Sequence, residues 1–300
     1  MRRAKPRNAA PALEAQLKIL DGIAPLADRY DGFVFDLWGV VHDGRRPYPG
    51  VAEALGALKA RGKRVAFLSN APRRSHVVEA LLTGMGLDRA LWDATITSGE
   101  LAWRALRDRA TLGYGRHALH IGPERDLSTI EGLDIELLPD PERAEWVLNT
   151  GPDPERGNNA VGPYRAVLAA CAARRLPMLC VNPDRHVMVG EHRVICAGAL
   201  ADLYVALGGP PAREIGKPDA AVYPPVLEAL GIADPARVVA IGDSPHTDLA
   251  GAQAAGIDAV WALTGLAAHA HGEAPEPARL AEVAEVEGVR PIAALSALRW

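Results

Sequence analysis

What most constrains this chain is a unit that recurs along it: a short unbroken apolar run, a polar or glycine residue at its end, then an Ala- and Leu-rich stretch with helical spacing. The runs fall at 33–36, 65–68, 94–97, 118–121, 146–148, 178–181, 238–241 and 260–263, and helical stretches between them at 51–61, 76–84, 100–110, 164–174 and 219–230. Continuous rather than alternating hydrophobicity marks strands covered on both faces, so the pattern predicts an α/β chain with a doubly wound, mostly parallel sheet. No fixed-period repeat or long linker divides it, and 300 residues suit about two domains, so a second domain is expected as an insertion.

Before residue 30 the pattern differs. A basic start (MRRAKPR) leads into Leu13, Leu17 and Leu20, whose spacing predicts an amphipathic helix ending near Gly22 or Pro25. Glu14, Lys18 and Asp21 interrupt any apolar signal segment, and no window of about 18 uncharged apolar residues follows, so neither secretion nor membrane spanning is expected. The net charge of −4 gives no global field towards nucleic acid or anionic lipid. Cys171, Cys180 and Cys196 are odd in number and lack C-x-x-C spacing, which reads as reduced thiols and a cytoplasmic protein.

In open parallel sheets, ligands bind at the carboxyl ends of the strands, so the residues closing each run are where chemistry is expected. Asp36 closes the first run, ahead of Leu37, Trp38 and Gly39; a carboxylate there is either a nucleophile and hard-oxygen metal ligand or a turn cap. Ser69 and Asn70 close the second, suited to phosphate oxygens or to simple helix capping. Lys217, the only lysine after Lys63, sits between Gly216 and Pro218, where its charge could neutralise a phosphate. Asp243 and Asp248 follow the run at 238–241, a pair that fits Mg²⁺ or, more plainly, helix capping.

Taken in order, Asp36-x-x-Gly-Val, Ser69-Asn70, Gly-Lys217-Pro and Gly-Asp243-x-x-x-Thr-Asp248 resemble the haloacid dehalogenase (HAD) superfamily of phosphohydrolases, subclass IIA, whose members include many sugar-phosphate phosphatases. The ITSGE segment at 96–100 and the NPD segment at 182–184 extend the resemblance over about residues 30–265. It implies a catalytic core of residues 31–98 and 208–300, an inserted α/β cap of the C2 type at 99–207, and an N-terminal extension at 1–30. By the same resemblance Asp36 attacks phosphorus, and Ser69 and Lys217 hold the transferring group. Mg²⁺ sits on Asp36, the backbone carbonyl of Trp38, Asp243 and Asp248. Asn70, Trp38 and Asp184 lie near a small phosphorylated substrate. Similar proteins also form cap-to-cap homodimers.

One position departs from that pattern. Phosphate-monoester hydrolases of the superfamily usually carry a second aspartate two residues after the nucleophile, as general acid and base; here Trp38 stands there, and an indole cannot shuttle protons near neutral pH. Losing such a group forfeits about 10²- to 10⁴-fold in rate. The chain therefore either prefers good leaving groups, relies on the substrate itself, or uses a substitute donor such as His42, Asp43, Asp184 or His186. Alternatively it binds phosphorylated ligands with little turnover. Dehalogenation, which needs no metal, is disfavoured by Asp243 and Asp248. His117, His120, His186 and His192 lack Cys/His zinc spacing, and His269 and His271 are expected in a polar tail. Neither G-x-S-x-G nor a P-loop motif is present.

Overall fold

The computed structural model describes residues 17–190, 192–272 and 275–300; Leu13 and the basic start lie outside the described residues. The chain opens with β1 (Ile19–Leu20), β2 (Gly32–Phe35), β3 (Arg64–Ser69) and β4 (Ala94–Thr97). It continues through β5 (His117–Ile121), β6 (Glu136–Leu137), β7 (Trp146–Asn149), β8 (Met178–Cys180), β9 (His186–Val189), β10 (His192–Ile195) and β11 (Arg213–Glu214). It returns with β12 (Val238–Gly242), β13 (Asp258–Ala262) and β14 (Ala293–Leu295).

A seven-stranded sheet has the order β1-β14-β13-β12-β2-β3-β4, parallel throughout. Successive strand residues point to opposite faces, and both faces are covered: Phe33 and Phe35 of β2 join one apolar cluster with Val239 and Ile241 of β12, while Val34, Val238 and Ala240 join another on the far side. That is why the runs read as unbroken hydrophobicity. From β2 the chain winds outward through β3 and β4, and from β12 it winds the opposite way through β13 and β14. The switch point therefore lies between β2 and β12, whose register sets Phe35 beside Ile241.

The inserted segment repeats this plan with a five-stranded parallel sheet, β11-β8-β7-β5-β6, reversing between β5 and β7. The antiparallel hairpin β9–β10 stands apart from both sheets.

Two expectations are corrected. Leu20 lies in an edge strand rather than on a helix, and the following helix is only Ala24–Ala27. The open edge of β14 decides the matter: the Ala294 N–H donates to the Lys18 carbonyl at 2.8 Å and the Ser296 N–H to the Leu20 carbonyl at 2.9 Å. His269 and His271 belong to the helix Gly265–His271, with the His271 ring edge-on to Trp261 at 5.5 Å, not to a polar tail. Among the described residues no helix is long and apolar enough to cross a membrane.

Candidate active site

Because β2 and β12 are neighbours at the switch point, the residues following them meet. The Asp36 N–H donates to the Ile241 carbonyl at 2.9 Å, which fixes its side chain at the carboxyl end of the sheet. Lys217 Nζ lies between two acids, donating to Asp36 Oδ1 and to Asp248 Oδ1, both at 2.5 Å, and to the Leu68 carbonyl at 3.0 Å. The ammonium is 4% exposed, so it has exchanged water for these three oxygens; the charges of the two acids raise its pKa against the opposing effect of burial. The Ser244 N–H holds the second oxygen of Asp248 at 3.1 Å.

Asp243 is placed differently. Among the described residues it has no ionic partner, and its carboxylate accepts a hydrogen bond from the Leu266 N–H at 2.6 Å. Gly39 and Gly265 close over it: both have positive φ, and a Cβ on either would fall 2.1 Å from Asp243 Oδ2. Side chains are excluded from both positions on steric as well as backbone grounds.

Asp36, Asp243 and Asp248 offer carboxylate oxygens within 4.8 Å of one another. Burial and mutual repulsion push Asp36 and Asp243 above the ordinary carboxylate range, with Lys217 opposing the rise. Such a cluster, short of one cation, fits a hard divalent ion. Among the described residues no donor is directed at the Trp38 carbonyl, which leaves that oxygen free as a ligand.

These groups open into a cavity of ≈ 340 Å³ between the two sheets. Asp36, Ser69, Trp38, Lys217, Asp243, Asp248 and Asp184 all line it. Asn70, expected at the substrate, does not: its amide is consumed as a strut. Asn70 Oδ1 accepts from the Lys217 N–H at 2.7 Å, while Nδ2 donates to the Lys217 carbonyl at 3.1 Å and to Asp184 Oδ1 at 2.9 Å. Ser69 Oγ accepts from the Ala71 N–H at 3.2 Å, which leaves its own proton available.

Trp38 faces the inserted segment. Its indole Nε1–H donates to the Met188 carbonyl of β9 at 2.5 Å, tying the loop after β2 to the hairpin. Of the substitute proton donors, Asp43 accepts from the Arg45 and Arg46 N–H groups, which help hold its pKa down, and does not line the cavity. His42 is buried and neutral, its pKa lowered to about 4 by burial, and its Nδ1 accepts from the Gly44 N–H. His186 lines the cavity with Nδ1 3.0 Å from Arg193 Nη2, and its pKa is lowered by partial burial. Asp184 lines the cavity too, and burial raises its pKa to about 6 against the pull of Lys217.

Sequence reasoning passed over the residues that the inserted sheet and the hairpin contribute: Arg125 and Asp126 beyond β5, Thr150 beyond β7, Met188 on β9, and also Arg73 beyond β3. The strand-end rule, applied to β5 and β7 as it was to β2 and β12, points to the same wall.

Comparison with known proteins decides the family. Residues 33–136 match the haloacid dehalogenase-like hydrolase model and residues 214–286 a HAD-hydrolase-like model, the latter running past residue 265, where the resemblance of the motifs stopped. The chain is 31% identical over 261 residues to chronophin from Homo sapiens, covering 79% of this chain and 82% of that protein. The chain belongs to the haloacid dehalogenase-like hydrolases. A solved haloacid dehalogenase-like hydrolase from Brucella suis 1330 superposes with a TM-score of 0.79 at 32% identity, covering 93% of this chain and 100% of the other. The p-nitrophenyl phosphatase from Archaeoglobus fulgidus superposes with a TM-score of 0.66 at 25% identity, covering 88% and 95%.

Proposed function

We propose that this HAD-like hydrolase is a Mg²⁺-dependent, cytoplasmic phosphatase of a small phosphorylated metabolite, working through an aspartyl-phosphate on Asp36. Phosphatases recur among its relatives, as in the D-glycerol 3-phosphate phosphatase from Mycobacterium tuberculosis, 27% identical over 80% of this chain and 65% of that protein. The single observation that carries the reading is the Asp36 carboxylate in the cavity, screened by Lys217 at 2.5 Å and set within 4.8 Å of two further acids.

Asp36, Asp243, the Trp38 carbonyl and Asp248 would hold Mg²⁺, which supplies positive charge to the oxygens of the transferring phosphoryl group. Lys217 opposes protonation of Asp36 and, with the Ser69 hydroxyl, stabilises charge on those oxygens. An Asp36 oxygen attacks phosphorus and the P–O ester bond breaks. The departing oxygen takes a proton from Asp184, whose carboxyl is raised towards neutrality and held at Oδ1 by Asn70. Water then attacks the aspartyl-phosphate, returns a proton to Asp184, and releases inorganic phosphate and free Asp36. The inserted unit acts as a cap that excludes bulk water.

A second reading, binding with little turnover, is favoured by one observation: Trp38 occupies the usual acid/base position and spends its only donor on the Met188 carbonyl. The test is a series of phosphate esters graded by leaving-group pKa, assayed with Mg²⁺ and after removal of divalent metal by chelation. The phosphatase reading expects turnover that chelation abolishes and Mg²⁺ restores, with a shallow leaving-group dependence because Asp184 protonates the departing oxygen. Absence of turnover for every ester, with a metal fluoride phosphate mimic still bound, establishes the binding protein instead.

A further inference from the structure

The loop that follows Ser69 and Asn70 carries Arg73, and its backbone is fixed on either side. The Thr129 hydroxyl donates to the Pro72 carbonyl, the Thr97 hydroxyl donates to the Arg73 carbonyl at 2.5 Å, and the Arg74 N–H donates to Ser128 Oγ at 3.2 Å. Arg74 Nε is in turn held by Glu100 Oε2 at 3.1 Å. Gly99 lets the helix Ser98–Leu106 lie directly on this loop, since a Cβ there would meet Arg73 backbone atoms at 2.5 Å. The ITSGE segment is thus accounted for: it clamps the residue that aims a guanidinium into the cavity.

That guanidinium is incompletely satisfied. Among the described residues Arg73 Nε is buried without a hydrogen-bond partner; the Asp126 Oδ1 carboxylate oxygen lies 3.5 Å away and outside hydrogen-bonding geometry. Arg125 Nε approaches the same oxygen at 3.9 Å. Arg73, Arg125 and Asp126 all line the cavity, so this wall carries two cations against one anion. Burial pushes the Asp126 carboxyl up to about 6, with the charges of Arg73 and Arg125 opposing the rise. Lys217, which lines the same cavity, is already engaged by Asp36 and Asp248. A cavity of ≈ 340 Å³ matches a small metabolite.

We propose that Arg73, assisted by Arg125, is a second anion subsite, and that the substrate is a small phosphate monoester bearing a further anionic group, a carboxylate or a second phosphate. The inference rests on the phosphatase reading above and names its substrate class. A largely buried guanidinium on a braced loop presents paired N–H donors that match either anion, and a braced loop loses little freedom on binding.

The test compares esters that differ only in the second group. One arm sets 2-phosphoglycolate against its carboxamide; the other sets propane-1,3-diol bisphosphate against the monophosphate. In the wild-type protein with Mg²⁺ the anionic member of at least one pair is expected to show kcat/KM about 10- to 100-fold higher, carried by KM, the scale of one or two charge-assisted hydrogen bonds. Whichever arm responds identifies the anion. Arg73→Gln should collapse that ratio towards one, Arg73→Lys should keep part of it, and Arg125→Gln should reduce it less. A wild-type ratio near one in both arms overturns the subsite while leaving a phosphatase that hydrolyses both members. So does a ratio unchanged by Arg73→Gln while amide exchange rises around residues 123–130, because Arg73 is then only a strap between the two sheets. Hydrolysis of none of the four esters, with aryl phosphates also inert, removes the phosphatase reading and the subsite with it.

Discussion

The cavity has a floor from the seven-stranded sheet and a roof from the inserted sheet and hairpin, and the two were built by the same rule to opposite effect. Each sheet reverses its winding once, and the loops beyond the strands that flank each reversal meet in a single cavity. On the floor, Asp36, Asp248 and Lys217 interlock at 2.5 Å and glycines close over Asp243. On the roof, Asp126 meets Arg125 at 3.9 Å and reaches across to Arg73 of the floor at 3.5 Å, a guanidinium whose Nε has no hydrogen-bond partner among the described residues, and the hairpin is held to the floor by the Trp38 indole. A tightly determined floor suits one invariable chemistry, and a loosely determined roof suits choice of substrate.

The sharpest way to break this contrast is to strike each side at its key carboxylate. Asp36→Asn on the floor should abolish turnover of every ester, on the order of 10⁴-fold or more, as expected when a covalent nucleophile is lost. If aryl phosphate hydrolysis survives it, the floor is not where the bond is made. Asp184→Asn, on the loop beyond β8, should divide the substrates instead: about 10²-fold or more on alkyl esters, whose leaving oxygen needs a proton, and little on aryl esters. Equal losses on both classes would make Asp184 a structural partner of Asn70 rather than the proton donor.

The contrast also explains what could be read from the sequence. The floor was legible because its strands are buried on both faces, which leaves unbroken apolar runs, and because the residues that line the cavity from it mostly follow those runs directly. Asn70 could not be placed from the sequence, because a run-end amide has the same signature whether it faces the ligand or, as here, braces Lys217. The hairpin was opaque for a different reason. His186–Val189 and His192–Ile195 are short, half-polar and, among the described residues, paired only with each other, so neither period nor burial marks them. The Gly190 turn with φ +61 is the one local signal that could have found them. The helix Ala197–Ala206 is so evenly apolar that no helical face stands out, and β1 is only two residues long, recruited by an open sheet edge.

Stability should separate the two sides as well. His120 of β5 is mostly buried, with Nε2 2.8 Å from Thr150 Oγ1, and its pKa is lowered to about 4 chiefly by desolvation, with Asp153 opposing. Its folded pKa lies below the unfolded value of about 6.5, so as the pH falls through 6.5 the unfolded chain takes up the proton first. The stability held above pH 6.5 is thus lost progressively down to pH 4, by an amount on the order of 2 kcal/mol. His120→Asn should flatten that part of the acid-unfolding profile of the inserted unit, monitored by amide exchange in β5 and β7. An unchanged profile would show that His120 is protonated in the folded protein.

The smallest effect tests the junction itself. Trp38→Phe retains an aromatic ring but removes the single N–H that reaches the Met188 carbonyl. A neutral hydrogen bond contributes about 1 kcal/mol, and the carbonyl left behind loses its partner, so the bond's loss should loosen the hairpin by roughly five- to tenfold in its opening equilibrium. The backbone carbonyl of residue 38 is unaffected, so Mg²⁺ affinity should stay near wild type. The expected signature is faster amide exchange in β9 and β10 and a higher KM, with kcat little changed when chemistry limits turnover. A fall in kcat confined to alkyl esters, with the hairpin unaltered, would instead place the indole beside the leaving group, and the roof would then take part in the chemistry that this contrast reserves largely for the floor.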